Sequence, residues 1–158
     1  MRKTWIVFLT MMLTQVSFGQ DLLSERIRKL TGRKKSIYFD KGIFHNGNNS
    51  GMSKLMNIRH NYSKTNGYER IVLDFSTKSV PRIYGHISSS ERKIYVDLFN
   101  TTIVKSLDSF GNSKFVESIN FFPIDKDKVS LELQTKLKVN AEVFYLESPG
   151  RLIIDIRS

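Results

Sequence analysis

The chain has 158 residues, 40% of them hydrophobic, no cysteine, and a formal net charge of +10. That length suits one domain with short flanking segments. The absent cysteine excludes disulfides, thiolate metal sites, a cysteine nucleophile and a lipid-modified cysteine. The positive charge favours an acidic partner: nucleic acid, anionic lipid or a carboxylate-bearing polymer.

Residues 1–19 read as a secretory leader. Arg2 and Lys3 form its positive start, Trp5–Leu13 is apolar apart from Thr10, and Ser17 and Gly19 offer small residues for cleavage before Gln20. The apolar run is shorter than the roughly 20 residues of a membrane-spanning helix. No transmembrane segment is therefore expected to remain after cleavage. An exported protein does not meet genomic DNA where it works, which weighs against nucleic acid as the partner.

Asp21–Leu30 places Leu22, Leu23, Ile27 and Leu30 near one face of a short helix. The Gly32-Arg33-Lys34-Lys35 run ends it and reads as a solvated basic linker. Ile37, Phe39 and Phe44 give the next stretch some strand character, and His45–Gly51 reads as a flexible loop. The predicted organisation is thus a leader (1–19), a basic N-terminal segment with a loop (20–51) and one folded domain (52–158).

That domain is organised around two stretches of strict period-two alternation, Arg92–Asn100 and Gly150–Ser158. Ile94, Val96 and Leu98 point one way in the first, Leu152, Ile154 and Ile156 in the second, with Asp97 and Asp155 on the opposite face. Upstream, Ile71–Phe75 and Val129–Leu133 precede these stretches by one common interval, which indicates a repeated β unit. Ile58 aligns with Ile119, and further alternating segments at Ile83–Ile87 and Val139–Leu146 complete each half. Ser88–Glu91 and Glu147–Gly150 read as turns, and Thr101–Asn112 as the connector between halves. One small sheet cannot bury its own apolar face, but two facing sheets can. The expected fold is all-β, a sandwich of two small, internally related antiparallel sheets, one from each half. Leu73, Phe75, Val96, Leu98, Leu131, Leu133, Ile154 and Ile156 form its predicted core.

The strings YERIVLDFS (Tyr68–Ser76), SERKIYVDL (Ser90–Leu98), DKVSLELQ and SPGRLIIDI (Ser148–Ile156) resemble the AMIN domain, a targeting module of bacterial cell-wall amidases and type IV pilus secretins. The resemblance covers Lys54 to Ser158. It implies a periplasmic β-sandwich that binds peptidoglycan without cutting it, with the family's positions at Arg70, Asp74, Arg92, Asp97, Arg151 and Asp155. The chain departs from the pattern at Lys128 and Glu132 and carries no amidase or secretin domain after Ser158, so the module is expected to stand alone.

Catalytic signatures are sparse. Only His45, His60 and His86 could serve a zinc site, with no HExxH, and neither GxSxG nor SxxK occurs. The pairs Asp97/Asp155 and Asp74/Glu132 lie beside basic residues, where cross-strand ion pairs are the ordinary outcome. No enzyme and no cofactor is expected. For binding, Tyr84, His86, Tyr95 and Asp97 share an outward face with Arg82 and Arg92 at its rim. Aromatic rings can stack on sugars, and arginine forks can hold stem-peptide carboxylates. The corresponding positions of the second half, Asn140, Glu142, Phe144 and Ile153, are more apolar and invite cover by another segment or a partner. The leading expectation is a non-catalytic peptidoglycan-binding envelope module. The alternative is an assembly module of a secretion or pilus-type complex that docks through sheet edges or the Phe144/Ile153 face.

Overall fold

The computed structural model describes residues 26–47, 51–105, 107 and 110–158. The leader expected over 1–19 lies outside them. Among the described residues the regular structure is entirely strand: β1 (Ile27–Lys29), β2 (Lys41–His45), β3 (Ser53–Ser63), β4 (Tyr68–Phe75), β5 (Ile83–Ser88), β6 (Lys93–Phe99), β7 (Thr101–Ile103), β8 (Val116–Asp125), β9 (Lys128–Thr135), β10 (Asn140–Leu146) and β11 (Arg151–Arg157). Among the described residues no helix is long and apolar enough to cross a membrane.

Two sheets face each other. One has six strands in the order β1-β2-β5-β6-β9-β8, the other five in the order β10-β11-β4-β3-β7. Pairing is antiparallel except at β1 with β2 and β3 with β7. All eight predicted core residues are buried between the sheets, because alternation puts every second side chain on the shared face. Each such aliphatic or aromatic side chain contributes roughly 1.5–3 kcal/mol by leaving water.

The halves do not make one sheet each, as expected; they interleave. The first half sends β3 and β4 to the five-stranded sheet and β5 and β6 to the six-stranded one. The second half sends β8 and β9 to the six-stranded sheet and β10 and β11 to the five-stranded one. The seams β4–β11 and β6–β9 therefore join opposite halves. Alternation specifies which face a side chain takes but not which strand lies beside it, so the exchange left no mark on the pattern.

The ladders of the two halves follow one plan. β3 and β8 each carry a bulge at the corresponding place, Leu55/Asn57 and Val116/Ser118. The backbone bond from Phe75 to Gly150 is matched by the one from Thr135 to Arg92. The registers equate Ile58 with Ile119, as the sequence indicated, and Leu152 with Ile94. They equate Leu73 with Leu133, however, and not with Leu131. The shift of two residues arises because the loop after β4 is longer than the one after β9, and it preserves the inward phase.

The N-terminal segment belongs to the fold. Ile27–Lys29, expected in a helix, pairs with β2, and β2 extends the six-stranded sheet by pairing with β5. Leu30, Phe39 and Phe44 are in the core. The ring of Phe44 lies against Gly85, where a Cβ would stand 2.1 Å from it, so this close approach needs a glycine. Between β1 and β2 the chain crosses to the other sheet: Thr31 accepts the Tyr145 N–H, and Phe39 bridges Ala141. The domain thus begins upstream of the boundary expected at 51/52, and this strap closes one side of the sandwich.

Candidate functional site

The outer face of the six-stranded sheet carries two parallel rows of side chains. One runs His45–Tyr84–Asp97–Ser130–Phe122, the next Ile43–His86–Tyr95–Glu132–Asn120. The His86 and Tyr95 rings stack at 6.4 Å with an interplanar angle of 8°, and Tyr84 beside them is 44% exposed. Beyond the first row, the cations of Arg82 and Lys128 lie 4.7 and 4.8 Å from the Phe99 ring centre. Lys128 also reaches Asp97 at 3.5 Å, and Lys93 pairs with Glu132 at 3.0 Å while sitting 5.7 Å from the Tyr95 ring. The result is an aromatic strip edged by ion-paired charges.

The sequence-derived candidates therefore separate. Tyr84, His86, Tyr95, Asp97 and Arg82 come together on this face. Arg92 does not join them: it has a positive φ of 57° in the turn before β6 and donates to the Lys136 carbonyl. Arg70, Arg151 and Asp155 lie on the outer face of the other sheet.

On that sheet the positions equivalent to Tyr84 and Asp97 are Glu142 and Asp155, and those equivalent to His86 and Tyr95 are Phe144 and Ile153. Phe144, Ile153 and Val72 form a small buried apolar cluster. The Asp155 carboxylate is 0% exposed. It accepts two bonds from the Arg70 guanidinium, at 2.7 and 2.8 Å, and one from Lys34 Nζ at 2.7 Å. Lys34 also lies 3.6 Å from Glu142 and 4.3 Å from the centre of the Tyr68 ring, and Ser36 N–H donates to Glu142. Within the basic run expected as a solvated linker, Lys34 is thus docked on two buried acids, while Arg33 and Lys35 stay exposed.

These contacts shift titrations. Burial opposes the Lys34 ammonium, but the hydrogen bond and charge of Asp155, with Glu142, outweigh it and hold Lys34 above the ordinary lysine value. Burial pushes the neighbouring Tyr38 phenol up as well. Both groups favour the protonated form when folded. Their contribution is therefore complete below the ordinary values of 10.5 and 10.0 and is lost as pH rises through the folded ones, which lie above these. We expect urea stability to fall over that window and the fall to be shallower in Lys34→Met and Tyr38→Phe. Parallel curves for parent and variants would remove this assignment.

Sequence reasoning missed a second polar node. Glu69, completely buried, accepts at Oε2 from Ser113 Oγ (2.8 Å) and the Phe115 N–H (2.7 Å), and at Oε1 from the Lys114 N–H (3.1 Å) and His60 Nδ1 (2.7 Å). His60 lies within β3. One signal was present: Glu69 falls on the inward phase shared by Ile71, Leu73 and Phe75. Among the described residues no group of three or more His, Asp or Glu side chains is arranged to hold a metal ion. Compared with known proteins, the chain matches no family model, no curated protein and no solved structure.

Proposed function

We propose that this protein is a non-catalytic module of the bacterial cell envelope, exported to the periplasm, that binds peptidoglycan on the outer face of the six-stranded sheet. The observation that carries this reading is the strip of exposed Tyr84 beside the stacked, half-buried rings of His86 and Tyr95, with Arg82 and Asp97 alongside. Ring faces of this kind suit the apolar faces of sugars, and a fixed guanidinium suits a carboxylate. The resemblance to the AMIN domain points the same way, and two interleaved, matching halves are compatible with it. The net positive charge favours an anionic polymer but would also cause unspecific adsorption, so charge alone is not the argument.

The test is co-sedimentation of the chain from Gln20 with purified sacculi over a range of salt concentrations, beside a Tyr84→Ala/Tyr95→Ala variant. Retention of the parent at 0.5 M salt is expected, with at least about a tenfold loss in the variant, the scale of two lost stacking contacts. Pelleting that vanishes at modest salt in both proteins would refute the reading. A second reading, an assembly module, draws on β8, an edge strand whose Phe122 and Ile124 are exposed. It would be favoured if the parent failed to pellet and instead self-associated or captured an envelope protein.

A further inference from the structure

Where the strap passes β10 it leaves a cleft of about 220 Å³. Its walls are unusual in charge. Arg28, Lys29, Arg33 and Lys35 all line it, and among the described residues no acid pairs with any of the four. The one acid in the lining, Glu142, is already answered by Lys34 at 3.6 Å. The cleft therefore presents a strongly positive field to whatever enters, and an anionic group is the occupant it favours.

One buried donor at this cleft also lacks a hydrogen-bond partner: Nε of Arg28, whose guanidinium lies 4.6 Å from the Phe39 ring centre. Both oxygens of Glu142 are answered, Oε1 by the Ser36 N–H and Oε2 by Lys34 at 3.6 Å. Buried polar groups are nearly always satisfied, so an orphaned cationic donor beside three further unpaired cations is informative. The remaining walls are apolar: Leu30, Phe39 and Val143 are buried there and Ile37 is exposed. A bare inorganic anion would use the cations but not the apolar wall.

We propose that this cleft captures the C-terminal end of a peptide, with its carboxylate on the Arg28, Arg33 and Lys35 cations and a small apolar side chain against Leu30, Phe39 and Val143. The volume is below the roughly 300–1,000 Å³ of sites for drug-sized molecules, which suits a chain end. Capture of a terminal carboxylate by converging donors is an established recognition mode. This site is separate from the aromatic face of the six-stranded sheet and does not depend on the wall-binding reading.

The test is an NMR titration of the purified protein with N-acetyl-alanyl-alanine, its C-terminal amide, and inorganic phosphate. The free acid is expected to shift backbone signals of residues 28–39 and 142–143. The amide should bind at least about tenfold more weakly, as should Arg28→Gln with the free acid, the scale of one lost charged hydrogen bond. Because Arg28 packs on Phe39, the exposed pair Arg33→Gln/Lys35→Gln is the variant that leaves the fold intact, and it should weaken binding about threefold to tenfold. Equal binding of acid and amide, phosphate displacing the dipeptide at equal concentration, or no shift at these residues would each overturn the proposal.

Discussion

Glu69→Ala is expected to cost about 3–5 kcal/mol, the range found when one partner of a buried charged network is removed. The carboxylate is wholly enclosed and satisfies four donors at once. Truncation leaves Ser113 Oγ, two backbone N–H groups and His60 without that acceptor, and each buried unsatisfied group costs roughly 1–3 kcal/mol. The location makes the loss cooperative. Ser113–Phe115 lead from the connector into β8, and Ser113 Oγ also accepts the Val116 N–H at 2.8 Å. Glu69 therefore fixes where the second half begins against the first. Against a typical total of about 5–15 kcal/mol, such a loss unfolds a substantial fraction of the protein. Ser113→Ala, which removes one donor and leaves the carboxylate three, should cost about 1 kcal/mol. Urea unfolding of the two variants checks this; a Glu69→Ala midpoint within error of the parent would show that the node contributes little.

Core membership was legible in the sequence because it depends only on phase. Leu73, Val96, Leu131 and Ile154 were placed inside by alternation, and alternation does not change when strands exchange partners. Strand neighbours were not legible, since β4 beside β11 and β4 beside β5 would require the same inward residues. The strap was misread for a different reason. Gly32–Lys35 has the composition of a solvated linker, and nothing local to it reveals that Asp155, far along the chain, is buried and needs a second cation. The aromatic strip was legible as a face because Tyr84, His86, Tyr95 and Asp97 all share one phase of paired strands. Arg92 was misplaced because it precedes the strand and sits in a left-handed turn. Glu69 could have been recognised as an acid in an otherwise apolar phase, but its partners Ser113 and His60 come from a connector and a facing strand that only the fold brings together.

The two repeated acids should behave unequally, although the sequence presents them as copies. Asp155→Ala is expected to cost about 2–3 kcal/mol because it removes the buried acceptor of charged hydrogen bonds from both Arg70 and Lys34. Asp97→Ala should cost less than about 1 kcal/mol, since that carboxylate is 31% exposed and its Lys128 partner stands 3.5 Å away in a solvent-screened pair. The cause lies in the neighbouring strands. Asp155 is opposite Arg70 and covered by the strap, whereas Asp97 is opposite Ser130 and open. Asp155→Asn, which keeps the shape and removes the charge, should also free the strap, so that trypsin cleaves after Lys34 or Lys35 faster than in the parent. Asp97→Asn should leave that cleavage unchanged. A double-mutant cycle between Asp155→Asn and Lys34→Met should return a coupling of at least about 1 kcal/mol, because each single change removes the same contact. Equal costs at Asp97 and Asp155, with no change in cleavage, would mean that the strap is held by its bridge to Ala141 and its buried Phe39 and Leu30 alone. A fold built from two matching halves has in this way turned one copy of a surface into an anchoring site for its own N-terminal segment, while the other copy leaves Tyr84 exposed beside its half-buried aromatic pair.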